Sequence, residues 1–276
     1  MKNKINDLKT FLTPWERVLI CRNSDRPRTL DYLNNITDSY EEIFGDKLYG
    51  DDPSIITAFG KIKNEKFIFI GLEKGNDTES RLKRNFGMAH PEGYRKALKA
   101  MKLAEKFNIP VVSFLDTPGA FPGLAAEERG QAIAIAKNLF EMSYLKTPII
   151  VVLIGEGCSG GALGIGIGDI IGMLEHSYYS VISPEGCASI LWKNPTKNKI
   201  AAGALKMHAE ELLKLKVIDQ IIKEPKEGAH TDTKFIYGVV KDFIINSYNK
   251  LKSIHLDELV EKRYNKLRSI GNFQEN

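Results

Sequence analysis

Cysteine is scarce in this chain. Cys21, Cys158 and Cys187 are its three cysteines in 276 residues. They form no C-x-x-C pair, which excludes a four-thiolate zinc site. An odd number of thiols at irregular spacing fits a reducing compartment, so a cytoplasmic location is expected, or the plastid stroma if the chain is organelle-encoded. Long hydrophobic runs are missing too. The most apolar stretch, Pro148 to Met173, is interrupted by Glu156, Asp169 and many glycines, and a membrane span would be far cleaner. The opening residues Met1 to Thr10 are polar and lack the apolar core of a signal peptide. Nor is there an excess of one charge: 39 basic against 35 acidic residues leave a net +4. That gives no reason to expect nucleic acid, although a basic patch serving a phosphorylated cofactor is compatible with it.

What is present is an ordinary globular balance, 43% hydrophobic and 27% charged, in a length that can bury one generous core. Residues 14–45 read as helical and peripheral, with Pro14 and Pro27 at first-turn positions. Residues 54–72 carry two β-rich runs around Asn64-Glu65 and read as a hairpin. Lys74 to Gly87 reads as a long polar loop. From residue 91 strands and helices alternate. A helix begins at Pro91 with Tyr94, Ala97, Leu98, Met101, Ala104 and Phe107 at helical spacing. Val111–Leu115 is a strand, about 125–144 a helix, and Ile149–Ile154 a β-branched strand buried on both faces. Residues 162–173 read as helical and 178–182 as a strand. Ser183-Pro184-Glu185 is a helix start, 198–215 is helical, 217–222 a last strand, and about 232–270 two amphipathic helices. The pattern implies an α/β fold with a largely parallel sheet layered by helices. One domain over residues 1–276 is expected, with a helical arm at about 1–45 and a helical tail at about 232–276.

Two glycine-rich turns carry the chemistry. Asp116-Thr117-Pro118-Gly119-Ala120-Phe121-Pro122-Gly123 and Gly155-Glu156-Gly157-Cys158-Ser159-Gly160-Gly161-Ala162 each follow a buried strand and precede a helix. Backbone N–H groups at such a place are unpaired within the helix and point outward. They can hold an anion or a developing oxyanion without a charged side chain. Glycine admits positive φ and lets a ligand approach the main chain, and the prolines stiffen the first turn. Close strand–helix packing also demands glycine, so each turn alone supports both readings; two at successive strand ends favour function.

Gly157-Cys158-Ser159-Gly160-Gly161 also matches the G-x-S-x-G elbow of serine hydrolases. On that reading Ser159 attacks, and Asp169 with His176, His208 or His230 completes a triad. A stand-alone acyl-CoA enzyme using Ser159 belongs to the same alternative. The basic loop with Lys74, Arg81, Lys83 and Arg84 is either a phosphate contact or solvated surface. Glu127 and Glu128 suit a helix start, and Cys158 and Cys187 are small apolar fillers.

Several runs resemble the carboxyltransferase alpha subunit of acetyl-CoA carboxylase. They are Arg84-Asn85-Phe86-Gly87-Met88, Pro91-Glu92-Gly93-Tyr94-Arg95-Lys96-Ala97-Leu98, Asp116-Thr117-Pro118-Gly119-Ala120, Glu127-Glu128-Arg129-Gly130-Gln131, the second glycine turn, and Ser183-Pro184-Glu185-Gly186-Cys187-Ala188-Ser189-Ile190-Leu191-Trp192. The similarity extends from Thr13-Pro14-Trp15 to Arg263-Tyr264 and so covers nearly the whole chain.

The resemblance implies a ClpP/crotonase-like ββα spiral fold with peripheral N- and C-terminal helices. It also implies transfer of a carboxyl group from carboxybiotin to acetyl-CoA, giving malonyl-CoA in the first committed step of fatty acid biosynthesis. The partners it implies are a zinc-ribbon beta subunit in an α2β2 assembly, the biotin carboxyl carrier protein and biotin carboxylase. ATP and nucleotide binding is expected as well, and no metal site in this chain. By the same resemblance Gly119, Ala120, Gly160 and Gly161 supply the biotin-side oxyanion hole through their backbone. Thr117, Pro118, Phe121, Ser159, Lys74 and Arg84 are the substrate-binding candidates. The family has glycine where this chain has Cys158, and a side chain there is expected either to narrow the cleft or to leave one amide less accessible, in the extreme leaving only a scaffold. The N-terminal arm also reads as shorter than usual in the family.

Overall fold

The computed structural model describes residues 12–271; the polar opening segment Met1 to Thr10 lies outside them. A mixed sheet organises the chain. Its strands are β1 (Ser39–Glu42), β2 (Ile55–Ile62), β3 (Glu65–Leu72), β4 (Val111–Thr117), β5 (Ile149–Cys158), β6 (Ile170–Leu174), β7 (Tyr178–Ser180) and β8 (Gln220–Ile222). The spatial order is β1-β2-β3-β4-β5-β6-β8, with β7 paired to the far end of β5. The first three strands pair antiparallel, including the expected hairpin of β2 and β3, and every later pairing is parallel. This bears out the α/β fold.

Alternation along the central strands sorts their side chains into two cores. Val111, Leu115, Ile149, Val151 and Leu153 join the core under the helices Pro91–Phe107 and Gln131–Tyr144. Val112, Phe114, Ile150, Val152 and Ile154 face the opposite way, toward the helices Thr29–Ile36, Thr233–Leu251 and Leu256–Arg268. Each fully buried residue of this kind contributes about 1.5–3 kcal/mol relative to exposure. A strand with both faces covered therefore needs the near-continuous apolar run that Ile149–Ile154 provides.

Helix ends follow local chemistry. Thr13 and Glu16 form a reciprocal capping box around Pro14. Ser183 accepts the Gly186 N–H at 3.1 Å, with Pro184 at the first helical position. The long helix from Pro91 stops at Asn108, which adopts φ +53.

Several local expectations are corrected. Residues 39–42, read as helical, form β1, because pairing with β2 covers what would otherwise be an open sheet edge. Pro27 precedes the helix that starts at Thr29 rather than sitting in its first turn. The polar stretch from Lys74 contains the short helix Thr78–Lys83. Residues 162–173, read as helical, hold a helix only to Leu163. The glycines at 164, 166 and 168 weaken helix continuation, and β6 follows from Ile170. Half of the second glycine turn, Gly155 to Cys158, is strand, since β7 extends the pairing with Glu156 opposite Tyr178 and Cys158 opposite Ser180. The segments 125–144 and 198–215 are each divided between two helices.

Buried arginines fasten both ends of the chain. Arg26 is fully buried, pairs through both terminal nitrogens with Glu224 (2.7 and 2.8 Å) and donates to the Ile154 carbonyl. Arg263, equally enclosed, grips both oxygens of Asp169 at 2.8 Å and the carbonyls of Met142, Leu145 and Thr147.

Candidate functional site

The two predicted turns lie side by side because β4 and β5 are adjacent and parallel. Thr117 is opposite Gly157, after a register shift between Leu115 and Thr117. In the first turn the Thr117 hydroxyl donates to the Gly119 carbonyl at 2.7 Å and accepts the Gly119 N–H at 3.1 Å. Gly119 has φ +150, and a Cβ there would meet nothing within 4 Å. Past the turn, Phe121 N–H donates to the Ala89 carbonyl, and Gln131 donates to the carbonyls of both Ala89 and Phe121. The Phe121 ring lies 4.2 Å from the His90 ring, centroid to centroid.

The second turn leaves β5 at Cys158 and enters the helix Ser159–Leu163. Ser159 adopts φ +56, a conformation that costs a non-glycine residue about 1–2 kcal/mol. Gly160 and Gly161 fall in the first helical turn, where N–H groups have no acceptor within the helix, and Cys158 supplies no side-chain cap. The Tyr94 hydroxyl holds the Gly161 carbonyl at 3.2 Å.

The four predicted donors are therefore not equivalent. Gly119 is buried and its N–H is taken by Thr117. Gly161 is buried directly behind the first turn, whereas Ala120 and Gly160 are partly exposed. Among the described residues, Ala120 N–H takes no part in the turn's own hydrogen bonds. Pro118 and Ser159 are exposed beside them, and Phe121 is half-buried.

Two hollows flank the turns. One of about 320 Å³ is mostly apolar and lined by Gly160, Leu163, Ile167, Tyr179, Val181 and Leu267 among others. The second, of about 160 Å³, is bounded by Pro118, Phe86, Arg22, Arg28, Arg81, Lys74 and Glu156. A larger hollow of about 460 Å³, lined by Phe59, Phe107, Pro110 and Tyr248, lies at the opposite end of the strands.

Below the turns is a buried ionic cluster. Lys74 is 8% exposed; its ammonium contacts Asp116 Oδ1 at 2.7 Å and also Glu156. Arg28 reaches Asp116 Oδ2 at 2.8 Å, and Arg22 pairs with Glu156 at 2.8 Å and with Glu185 at 2.7 Å. The Tyr178 hydroxyl donates to Glu156. Burial opposes ionisation of Glu156, but Lys74 and Arg22 outweigh it and hold its carboxyl down at about 2. Asp116 is likewise lowered, burial being outweighed by Lys74 and Arg28. Lys74 is raised, since the two carboxylates overcome its own burial. Lys74 is thus no solvated loop cation, and Arg84, the other predicted basic contact, donates to the Pro53 carbonyl.

The serine-hydrolase alternative finds no base. Both oxygens of Asp169 are held by Arg263, and one also accepts the Ile149 N–H at 2.7 Å. His176 and His208 are buried, with His208 pushed down to about 4 by burial, and His230 faces Asn23 at 3.2 Å. Among the described residues no histidine hydrogen-bonds Ser159. Cys158 is wholly buried in the core, and burial pushes its thiol up to about 12. Its side chain lines neither hollow beside the turns, which corrects the expectation that it narrows the cleft. Among the described residues, no helix is long and apolar enough to cross a membrane, and no three or more His, Cys, Asp or Glu side chains are grouped to hold a metal.

Sequence reasoning missed the roles of Arg22, Arg28 and Tyr178 and read Asp116 and Glu156 only as parts of turns. The one visible signal was a carboxylate near the end of each of two mostly apolar strands.

The family model described as acetyl co-enzyme A carboxylase carboxyltransferase-like matches residues 1–271. A Chlamydia pneumoniae protein named acetyl-coenzyme A carboxylase carboxyl transferase subunit alpha is 60% identical over 263 residues, covering 95% of this chain and 81% of that one. Its Chlamydia muridarum namesake is 55% identical over 278 residues, covering 99% and 86%. Among solved structures, a transcarboxylase 12S chain superposes with TM-score 0.67 at 17% identity over 91% of this chain, which spans 47% of that chain's length. A chain of a Pseudomonas malonate decarboxylase hetero-tetramer in complex with coenzyme A superposes with TM-score 0.60 at 14% identity, covering 80% of this chain and 89% of that one. At these identities the likeness is one of fold, and that fold is the crotonase-like one expected from the sequence.

Proposed function

Because the chain belongs to the acetyl co-enzyme A carboxylase carboxyltransferase-like family, we propose that its two abutting turns form the biotin-side oxyanion hole of a carboxyltransferase. The activity is transfer of a carboxyl group to acetyl-CoA, as the alpha subunit of the enzyme. Carboxybiotin, when bound, supplies the activated carboxyl group. The residues present fit a planar carbonyl-bearing group: space over Gly119 is open, and a Cβ on Gly160 would come no closer than 3.6 Å to Ile135.

The observation that carries the reading is that the two turns abut: Ala120 and Gly160, both partly exposed residues, follow the ends of adjacent parallel strands, and Gly161 packs against the Gly119–Ala120 peptide. N–H donors held there by the backbone stabilise negative charge as it grows on a carbonyl oxygen. One such donor contributes roughly 3 kcal/mol to the transition state. Gly119 and Gly161 complete the cradle from behind, while Thr117 locks the first turn. Pro118, Phe121 and Ser159 border the site. Lys74 and Arg84 were candidates for substrate contact; their buried and carbonyl-bonded positions support indirect roles.

A beta subunit is the proposed partner, bearing the zinc ribbon and the acetyl-CoA side of the site in an α2β2 assembly. The biotin carboxyl carrier protein and biotin carboxylase are the proposed further components. The exposed apolar side chains Ile133, Phe140 and Tyr144, on one side of the helix Gln131–Tyr144, support a subunit contact. A single domain, a cytoplasmic or plastid location, and ATP binding in the complete carboxylase belong to the same proposal. The test is reconstitution: purified chain mixed with beta subunit should form malonyl-CoA from carboxylated carrier protein. A well-folded complex that makes no product overturns the reading.

A further inference from the structure

One ammonium group bridges the carboxylates beneath the two turns. Asp116 opens the first turn from the end of β4, and Glu156 belongs to the strand end that becomes the second. Lys74 Nζ contacts both carboxylates at once. Asp116 Oδ1 also accepts the Glu156 backbone N–H at 3.0 Å, so the same carboxylate spans the two strands. The surroundings are shaped around this contact. A Cβ on Gly155 would stand 2.3 Å from Asp116 Oδ1, and one on Gly87 would stand 2.7 Å from Lys74 Cγ and 2.9 Å from the Asp116 carbonyl. Of these two carboxylates Arg28 reaches only Asp116 and Arg22 only Glu156, so removing either leaves the cross-strand link in place.

We propose that Lys74 is a positioning residue for carboxyl transfer: by tying Asp116 to Glu156 it holds the two amide turns at a fixed separation. The proposal rests on the oxyanion reading of the turns. Lys74 has no direct role toward substrate in it. An oxyanion hole works only if its donors are in place before charge develops, and displacement of a reacting group by about 1 Å can cost about 100-fold in rate. One cation bonded to both strand ends is a short route to that rigidity.

The test compares Lys74→Met and Lys74→Arg in the complex with the beta subunit, reading steady-state kinetics and amide hydrogen exchange in segments 117–121 and 158–162. In Lys74→Met, exchange is expected to accelerate about tenfold in both segments together. The kcat is expected to fall by about 100-fold, while KM for acetyl-CoA stays within about twofold of the parent. Lys74→Arg restores a cation and should recover part of both effects. Glu156→Gln detaches one side only, so exchange should rise in 158–162 and stay at the parent level in 117–121; this variant carries the test if Lys74→Met does not fold. Unchanged exchange at either turn in folded Lys74→Met, or equal changes at both turns in Glu156→Gln, overturns the proposal. Faster exchange at both turns with unchanged kcat supports the tie and instead overturns the oxyanion reading.

Discussion

Gly161 and Ala120 meet backbone to backbone. A Cβ on Gly161 would stand 2.5 Å from the Ala120 nitrogen and 2.3 Å from the Gly119 carbonyl carbon. Neither atom belongs to a flexible side chain, so one turn must retreat to admit a methyl group. Gly161→Ala is expected to lower malonyl-CoA formation by about 100-fold or more, the scale of losing one oxyanion donor. Gly160→Ala, whose methyl would meet only ordinary contact with Ile135 at 3.6 Å, should melt within a few degrees of the parent. Thermal melts and carboxylation rates of the two variants check this contrast.

Ser159 borders the site but has no hydrogen-bonded histidine, and its φ of +56 strains alanine as much as serine. Ser159→Ala should retain activity within about threefold, since the donors beside it are backbone groups. A fluorophosphonate probe should leave the chain unlabelled. Labelling at Ser159 that tracks loss of activity would restore the nucleophile.

Cys158 fills core volume rather than cleft. Replacing it with glycine removes a buried side chain and frees the backbone of β5, at an expected cost of about 1–3 kcal/mol in stability. Turnover should not rise. Chemical unfolding and steady-state rates measured on the same preparation separate the two effects.

Acid should loosen the cluster under the turns. Glu156 has its folded value held at about 2, below its ordinary 4.5. A depressed carboxylate contributes stability that is fully present above the unfolded value and is lost as pH falls through the folded one. Unfolding free energy should therefore decline from about pH 4.5 toward 2, and Asp116, shifted in the same direction, adds to the slope. In Glu156→Gln the decline should be shallower, as urea titrations across that range would show. A slope equal to that of the parent would mean that Glu156 is not ion-paired in solution.

The fold was legible where one residue type dominates a whole element. Ile149 to Ile154 reads as a strand covered on both faces because every side chain there is apolar, and Ser183-Pro184 announces a helix by its cap. It was illegible where pairing decides. Residues 39–42 are strand only because β2 needs an edge partner, and Ile170 to Leu174 was hidden among glycines that read as a continuing helix. At the site, glycine and proline exposed the two turns, but the support beneath them joins residues far apart in sequence. Lys74 and Glu156 are 82 positions apart and Arg22 and Glu156 are 134 apart. No local pattern encodes such a pair, so Lys74 read as a loop cation facing either a phosphate or solvent.

The arginines before residue 29 carry a consequence for how the molecule is put together. Arg22, Arg26 and Arg28 neutralise Glu156, Glu224 and Asp116. A chain truncated ahead of Thr29 would keep Glu224 enclosed without its counterion and leave Asp116 and Glu156 to share Lys74 alone. Leaving a buried charge such as that of Glu224 uncompensated costs about 3–5 kcal/mol. Arg26 meets its carboxylate only across 198 residues. Arg26 therefore cannot take its place in the fold before the part of the chain that carries Glu224 has been made.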